Sequence, residues 1–126
     1  MIARAQKTIL ITDDTLVITH VLRHGLQRAG YRVLVASNGE AALLCANAEH
    51  PDLLILDVEL PDISGFELLR QIRNMPDCAE LPVIFITGSG DPKIQARAHR
   101  RGAAEFFPKP ISLTELQRCV QKLLGI

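Results

Sequence analysis

Neither sign of charge prevails in this chain: fourteen lysines and arginines stand against fourteen aspartates and glutamates, a formal net charge of +0 at pH 7. No overall field therefore favours nucleic acid or an anionic membrane, and any charge-driven recognition has to be local. Cysteine is scarce too. Cys45, Cys78 and Cys119 are an odd number without close spacing. A thiolate metal site and a disulfide scaffold are both excluded by that spacing, and reduced thiols in a cytoplasmic protein are expected. The longest N-terminal apolar run, Ile9-Leu10-Ile11, is far too short for a signal peptide or a membrane span. Internal repeats, low-complexity segments and linkers are absent as well.

What is present is the composition of one packed domain: 126 residues, 48% hydrophobic and 22% charged. A chain of this length buries roughly two-thirds of its unfolded surface. Its organising stretch runs from Asp52 to Gly65, where Leu53-Leu54-Ile55-Leu56 leads into Asp57 and Pro61 and Gly65 close the loop behind. A short apolar run bounded by breakers is the mark of a strand buried on both faces, as in parallel sheets. Function in such sheets sits beyond the carboxyl ends of the strands, which is where Asp57 falls.

Around it the chain alternates. Residues 1–6 form a mildly basic lead-in, and a first strand over Lys7–Thr12 runs into Asp13-Asp14. A helix over about Thr15–Ala29 carries Leu16, Val17, Val21, Leu22 and Leu26 at helical spacing, with Gly30 as its cap. A strand over Arg32–Ala36 and a helix over Gly39–Glu49 follow, stopped by His50-Pro51. After the Asp57 strand, a helix opens at Ser64-Gly65 with Phe66, Leu68, Leu69 and Ile72 on one side. A fourth strand spans Pro82–Thr87, and Asp91 with Pro92 caps a helix to about Arg101. A short strand over Ala104–Phe107 leads to Pro108-Lys109-Pro110, and Ser112 with Glu115 opens a last helix to about Leu124. Five strand–helix alternations with short connections predict an α/β fold: a doubly wound parallel sheet with helices on both faces.

The chemistry gathers at strand ends. Asp13, Asp14 and Asp57 end the first and third strands, and clustered carboxylates repel unless a cation lies among them. Mg²⁺ suits such oxygen donors, since it binds through one or two carboxylates and completes its shell with water and phosphate oxygens. Thr87 brings a hydroxyl to the same edge, and Lys109, held between two prolines, brings an ammonium. A helix cap, a plain strand residue and a solvated charge would explain each of these alone. Their convergence on one edge favours a site.

Four motifs in order then resemble a known family, the response-regulator receiver domain of two-component signalling. They are Ile-Leu-Ile-Thr-Asp13-Asp14, Asp57-x-x-x-Pro61-x-x-x-Gly65, Ile-Thr87-Gly, and Gly102-Ala-Ala-Glu-Phe106-Phe-Pro-Lys109-Pro110. The resemblance implies a single receiver domain over residues 1–126, flavodoxin-like, with five parallel strands in the order 2-1-3-4-5. It implies that Asp57 accepts a phosphoryl group from a phosphohistidine of a sensor histidine kinase or a histidine phosphotransfer protein. Asp13, Asp14, Asp57 and the backbone carbonyl of Glu59 would hold Mg²⁺, and Lys109 would contact the phosphoryl oxygens. Thr87 would move to bind them, and Phe106 would turn inward behind it. Such a domain is a signalling switch and not an enzyme, beyond catalysing its own phosphorylation and dephosphorylation. Four positions depart from the common pattern: Thr15, Glu59, Gly88 in place of alanine, and Phe106 in place of tyrosine.

Two other classes fit the strand-end carboxylates less well. Aspartate-nucleophile phosphohydrolases show Asp-x-Asp at the first strand, whereas Asp13-Asp14 are adjacent. A pseudo-receiver would have lost one of Asp13, Asp14, Asp57, Thr87 and Lys109, and all are present. No DNA-binding helix-turn-helix follows, so direct nucleic-acid binding is not expected of this domain. Both a stand-alone receiver and the receiver of a larger regulator or hybrid kinase are compatible with these residues. The output surface is expected on the fourth helix, fifth strand and fifth helix. There Lys93, Arg97 and Arg100 or Arg101 recur at helical spacing with Ile94 and Ala98 inward, suiting an acidic partner.

Overall fold

The computed structural model describes residues 5–125, so the first four residues of the lead-in lie outside it. Ten elements alternate along the described residues. They are β1 (Thr8–Thr12), α1 (Leu16–Arg28), β2 (Arg32–Ala36), α2 (Gly39–Glu49), β3 (Leu53–Asp57), α3 (Gly65–Arg73), β4 (Val83–Thr87), α4 (Pro92–Arg100), β5 (Glu105–Pro108) and α5 (Leu113–Leu124). All strand pairs are parallel and the order is β2-β1-β3-β4-β5, as the resemblance implied. Element ends fall within a residue or two of the expected ones, the usual scatter of fraying termini.

Burial follows the sheet order. The three central strands β1, β3 and β4 are buried along their whole length, whereas the edge strands β2 and β5 are not. Side chains alternate between two cores, as the period of two in a strand demands. Leu10, Leu54, Leu56, Val83 and Phe85 pack with Ala42, Ala46, Phe66, Leu69 and Ile72 under α2 and α3. Ile9, Ile11, Leu53, Ile55, Ile84 and Ile86 pack with Leu22, Leu26, Leu116 and Val120 under α1 and α5. Among the described residues no helix is long and apolar enough to cross a membrane.

Local signals fix the helix ends. Asn38, Ser64, Asp91 and Ser112 each accept a backbone N–H inside the first turn of the helix they precede. His50 ends α2 in the left-handed region at φ 48°, the residue that Pro51 keeps out of the helical region.

One helix face differs from expectation. Leu22 and Leu26 face the core, but Leu16, Val17 and Val21 stand 77%, 73% and 49% exposed. The chain carries apolar residues on two sides of α1, and the sheet takes the side holding Ile18, Thr19, Leu22, Gly25 and Leu26. Leu16, Val17 and Val21 are left as an apolar strip in water.

Candidate functional site

Parallel order brings the carboxyl ends of β1, β3, β4 and β5 side by side, and the expected residues meet there. Asp57, the last residue of β3, is 3% exposed. Its Oδ1 accepts the Glu59 N–H at 3.0 Å and its Oδ2 lies 3.0 Å from Lys109 Nζ. The same ammonium lies 2.9 Å from Asp13 Oδ2. Asp13 Oδ1 accepts the Thr15 N–H at 2.8 Å, a local turn just before α1, whose N-cap Thr15 makes no side-chain cap bond. The two oxygens of Asp13 thus serve the backbone turn and Lys109 separately.

Lys109 is placed by the backbone on both sides of it. Its N–H donates to the Thr87 carbonyl at 2.7 Å, which ties the residue after β5 to the end of β4. The Lys109–Pro110 peptide is cis. A Cβ added at Gly88 would meet Lys109 Cδ at 4.0 Å, an ordinary contact, so packing does not require glycine there.

Electrostatics at Asp57 oppose its charge. Burial is the largest cause and pushes its pKa up to about 6, with the Asp13 carboxylate adding to it; Lys109 and the Glu59 N–H pull the other way. For Lys109 burial acts downward, but pairing with Asp13 and Asp57 outweighs it and leaves the ammonium above its ordinary value. The ammonium is therefore charged at neutral pH and partly neutralises two carboxylates.

Asp13, Asp14 and Asp57 each offer an oxygen, and these lie within 4.8 Å of one another. Three hard oxygen donors at that spacing, two buried and one exposed to water, fit the donor set and partial hydration that Mg²⁺ requires.

Thr87 is fully buried and ends β4. Its hydroxyl donates to the Glu59 carboxylate, 2.6 Å from Oε1 and 2.8 Å from Oε2. The sequence marks Glu59 only as a departure from the common pattern and as a backbone carbonyl, without this side-chain contact. Phe106, half-buried on β5, packs against the core under α2 and α3. On α4, Ala98 is buried and Ile94 half-buried, as expected, and Lys93 and Arg100 are exposed. Arg97 is exposed too, and its guanidinium also lies over the Phe66 ring of α3, 4.5 Å from the centroid.

Asp62 was not anticipated. Its carboxylate accepts N–H groups of Gly39 at 2.8 Å and Glu40 at 3.0 Å, anchoring the loop after Asp57 to the first turn of α2. These donors hold its pKa below the usual carboxylate value. No spacing rule in the sequence connects Asp62 with Gly39, because the contact exists only once β1 and β3 are neighbours.

A strand-end cluster of three carboxylates, one ammonium and one hydroxyl on this sheet defines a class. Residues 9–121 match the response regulator receiver domain, and the chain belongs to that family, part of two-component signalling. Receiver domains take phosphoryl groups from histidine kinases and bind Mg²⁺ at an acidic pocket. The chain is 36% identical over 118 residues to the alkaline phosphatase synthesis transcriptional regulatory protein PhoP of Bacillus subtilis, covering 94% of this chain and 48% of that one. It spans about half the length of the curated relatives it matches first, 48% of each. Its structure resembles the chemotaxis response regulator CheY4 of Vibrio cholerae with a TM-score of 0.87 at 29% identity, over 95% of this chain and 100% of that one. The receiver domain of the sensor histidine kinase PA1611 of Pseudomonas aeruginosa gives 0.86 at 28% identity, over 97% of this chain and 100% of that one. In that structure a magnesium ion is coordinated in the active site cleft.

Proposed function

We propose that residues 1–126 act as one receiver domain in which Asp57 is the phosphoacceptor. The observation that carries this is the position of Asp57, buried at a strand end with Lys109 at 3.0 Å and two further carboxylates beside it. An Asp57 oxygen attacks the phosphorus of a phosphohistidine and the P–N bond breaks. The leaving electron pair stays on the imidazole, which takes a proton from water. Lys109 holds positive charge beside the oxygens of the transferring group. Mg²⁺, held by Asp13, Asp14, Asp57 and the Glu59 carbonyl, would supply the remaining neutralisation of charge. The domain is then a switch and not an enzyme acting on other molecules.

Acetyl phosphate with Mg²⁺ should add one phosphoryl group to the protein, seen by intact mass spectrometry. Chelation of Mg²⁺ should abolish the addition, and unchanged labelling in chelator would sink the metal's part.

The donor's docking place is supported by the strip that α1 leaves in water. Val17, Ile18, Val21 and Leu22 line a groove of about 480 Å³ whose other wall is Gly88, Lys109, Pro110 and Ile111. A protein carrying a phosphohistidine that lies over this groove is brought beside Asp57, because Lys109 lines the groove and pairs with that aspartate. The double variant Val17→Glu, Val21→Glu should label with acetyl phosphate at the wild-type rate. It should accept phosphoryl from a phosphohistidine protein more than about tenfold more slowly, since two carboxylates would be desolvated in the complex. Equal slowing with both donors would place the defect in the pocket and not in docking.

Output is assigned to the face of α4, β5 and α5, with Thr87 and Phe106 as one coupled element and an acidic partner surface facing Lys93 and Arg100. A phosphoryl group adds a charge of about −1.5 to −2 and strong acceptor oxygens, enough to draw a hydroxyl to it. Thr87→Ala should label at no less than about a third of the wild-type rate, yet lose most of the phosphorylation-dependent gain in partner binding. A full gain in that variant would break the coupling.

A further inference from the structure

Thr87 has one hydroxyl proton, and in this structure it is already in use. The hydroxyl donates to both oxygens of Glu59 at 2.6 and 2.8 Å, and it accepts the Ser89 N–H at 3.0 Å. A hydroxyl has one proton to give, so it cannot serve Glu59 and a phosphoryl oxygen together. Charge-assisted bonds of this length are the stronger kind. Glu59 itself is exposed and stands two residues beyond Asp57, with its N–H tied to the Asp57 carboxylate.

We infer that Glu59 is a positioning residue that latches Thr87 in the resting conformation and competes with the phosphoryl group for its hydroxyl. The inference rests on Asp57 being the phosphoacceptor. Capture of Thr87 by a phosphoryl group has to break the latch. It leaves a carboxylate beside a new anion on the same loop. Because Glu59 is exposed, it can swing into water without being desolvated. The latch thus sets how strongly the phosphorylated state is favoured, through Thr87 and not through contact with the phosphorus. Loop position alone would not produce this, since a carboxylate could repel the anion without touching Thr87.

The test uses beryllofluoride with Mg²⁺, a phosphoryl mimic that forms on a carboxylate, titrated into wild type, Glu59→Gln, Glu59→Ala, Thr87→Ala and the Glu59→Ala, Thr87→Ala double variant. Binding is read from the amide NMR signals of residues 87 and 89. Glu59→Ala should bind about tenfold more tightly, the worth of one hydrogen bond to a charged group. Glu59→Gln, which still accepts the hydroxyl without the charge, should fall between. In the Thr87→Ala background the same Glu59→Ala change should raise affinity by no more than about threefold, the part due to charge alone. In metal-free protein without the mimic, Glu59→Ala should speed hydrogen exchange at the Ser89 amide, and Glu59→Gln should largely restore protection. An equal gain from Glu59→Ala in both Thr87 backgrounds would overturn the latch and leave Glu59 as a repelling charge. Absence of any beryllofluoride response in wild type would overturn the phosphoacceptor reading itself.

Discussion

Asp57→Asn should take no label from acetyl phosphate and, in chelator at pH 8, should be more stable than wild type by about 1–2 kcal/mol. The first half follows from removing the nucleophile. The second follows from the pKa of Asp57, which burial foremost pushes up to about 6 from 3.8. A carboxyl whose folded pKa is raised binds its proton more tightly in the native state than in the unfolded chain. Native stability therefore falls as pH rises between about 4 and 6, and stays lowered above that. The difference between 3.8 and about 6 corresponds to at most about 3 kcal/mol. Part is offset in the variant, because Lys109 keeps Asp13 but loses Asp57. Urea unfolding at pH 5 and pH 8 in chelator would measure this. The gap between variant and wild type should be smaller at pH 5, and a gap of the same size at both would remove the ionised carboxylate as its source. Added Mg²⁺ should stabilise wild type far more than the variant, because only wild type keeps three carboxylates to bind it.

The asymmetry between what was legible in the sequence and what was not has a physical pattern. Asp13, Asp57, Thr87 and Lys109 could be placed together because each follows a short apolar run, and parallel strands put all such ends on one edge. The caps at Asp91 and Ser112 were legible because a cap is a contact made within three residues. The strip of Leu16, Val17 and Val21 was not, because α1 is apolar on two sides and local periodicity cannot say which side meets the sheet. Arg97 over Phe66 and Glu59 on Thr87 were hidden for a related reason. Each joins residues about thirty positions apart, through neighbours that exist only after α3 packs by α4 and β3 pairs with β4. Charge spacing on α4 showed the helix and its exposed basic residues, but not that Arg97 also lies over Phe66. The edge of the site was readable; the engagement of its long side chains was not.

Gly65→Ala should be the most damaging of the conservative substitutions, lowering stability by about 2–3 kcal/mol. Gly65 is the first residue of α3 and its N–H donates to the Val58 carbonyl at 2.8 Å. A Cβ there would collide with the Asp57 carbonyl oxygen and sit 3.0 Å from Val58 Cα. Those are backbone atoms of β3 and the residue after it, with no rotamer to move aside. Alanine's higher helix propensity returns at most about 1 kcal/mol, less than the overlap removes. Relief requires α3 and the loop from Val58 to Ser64 to shift together, and that loop carries Glu59, whose N–H binds Asp57. The same substitution should therefore slow labelling by acetyl phosphate as well as weaken the fold. Gly88→Ala is the matched control, because its Cβ meets Lys109 Cδ at 4.0 Å and should change stability by less than about 0.5 kcal/mol. Urea midpoints and labelling rates for the two variants would be compared with wild type. A wild-type midpoint and rate for Gly65→Ala would mean that the end of β3 yields more easily than its burial among neighbouring strands implies.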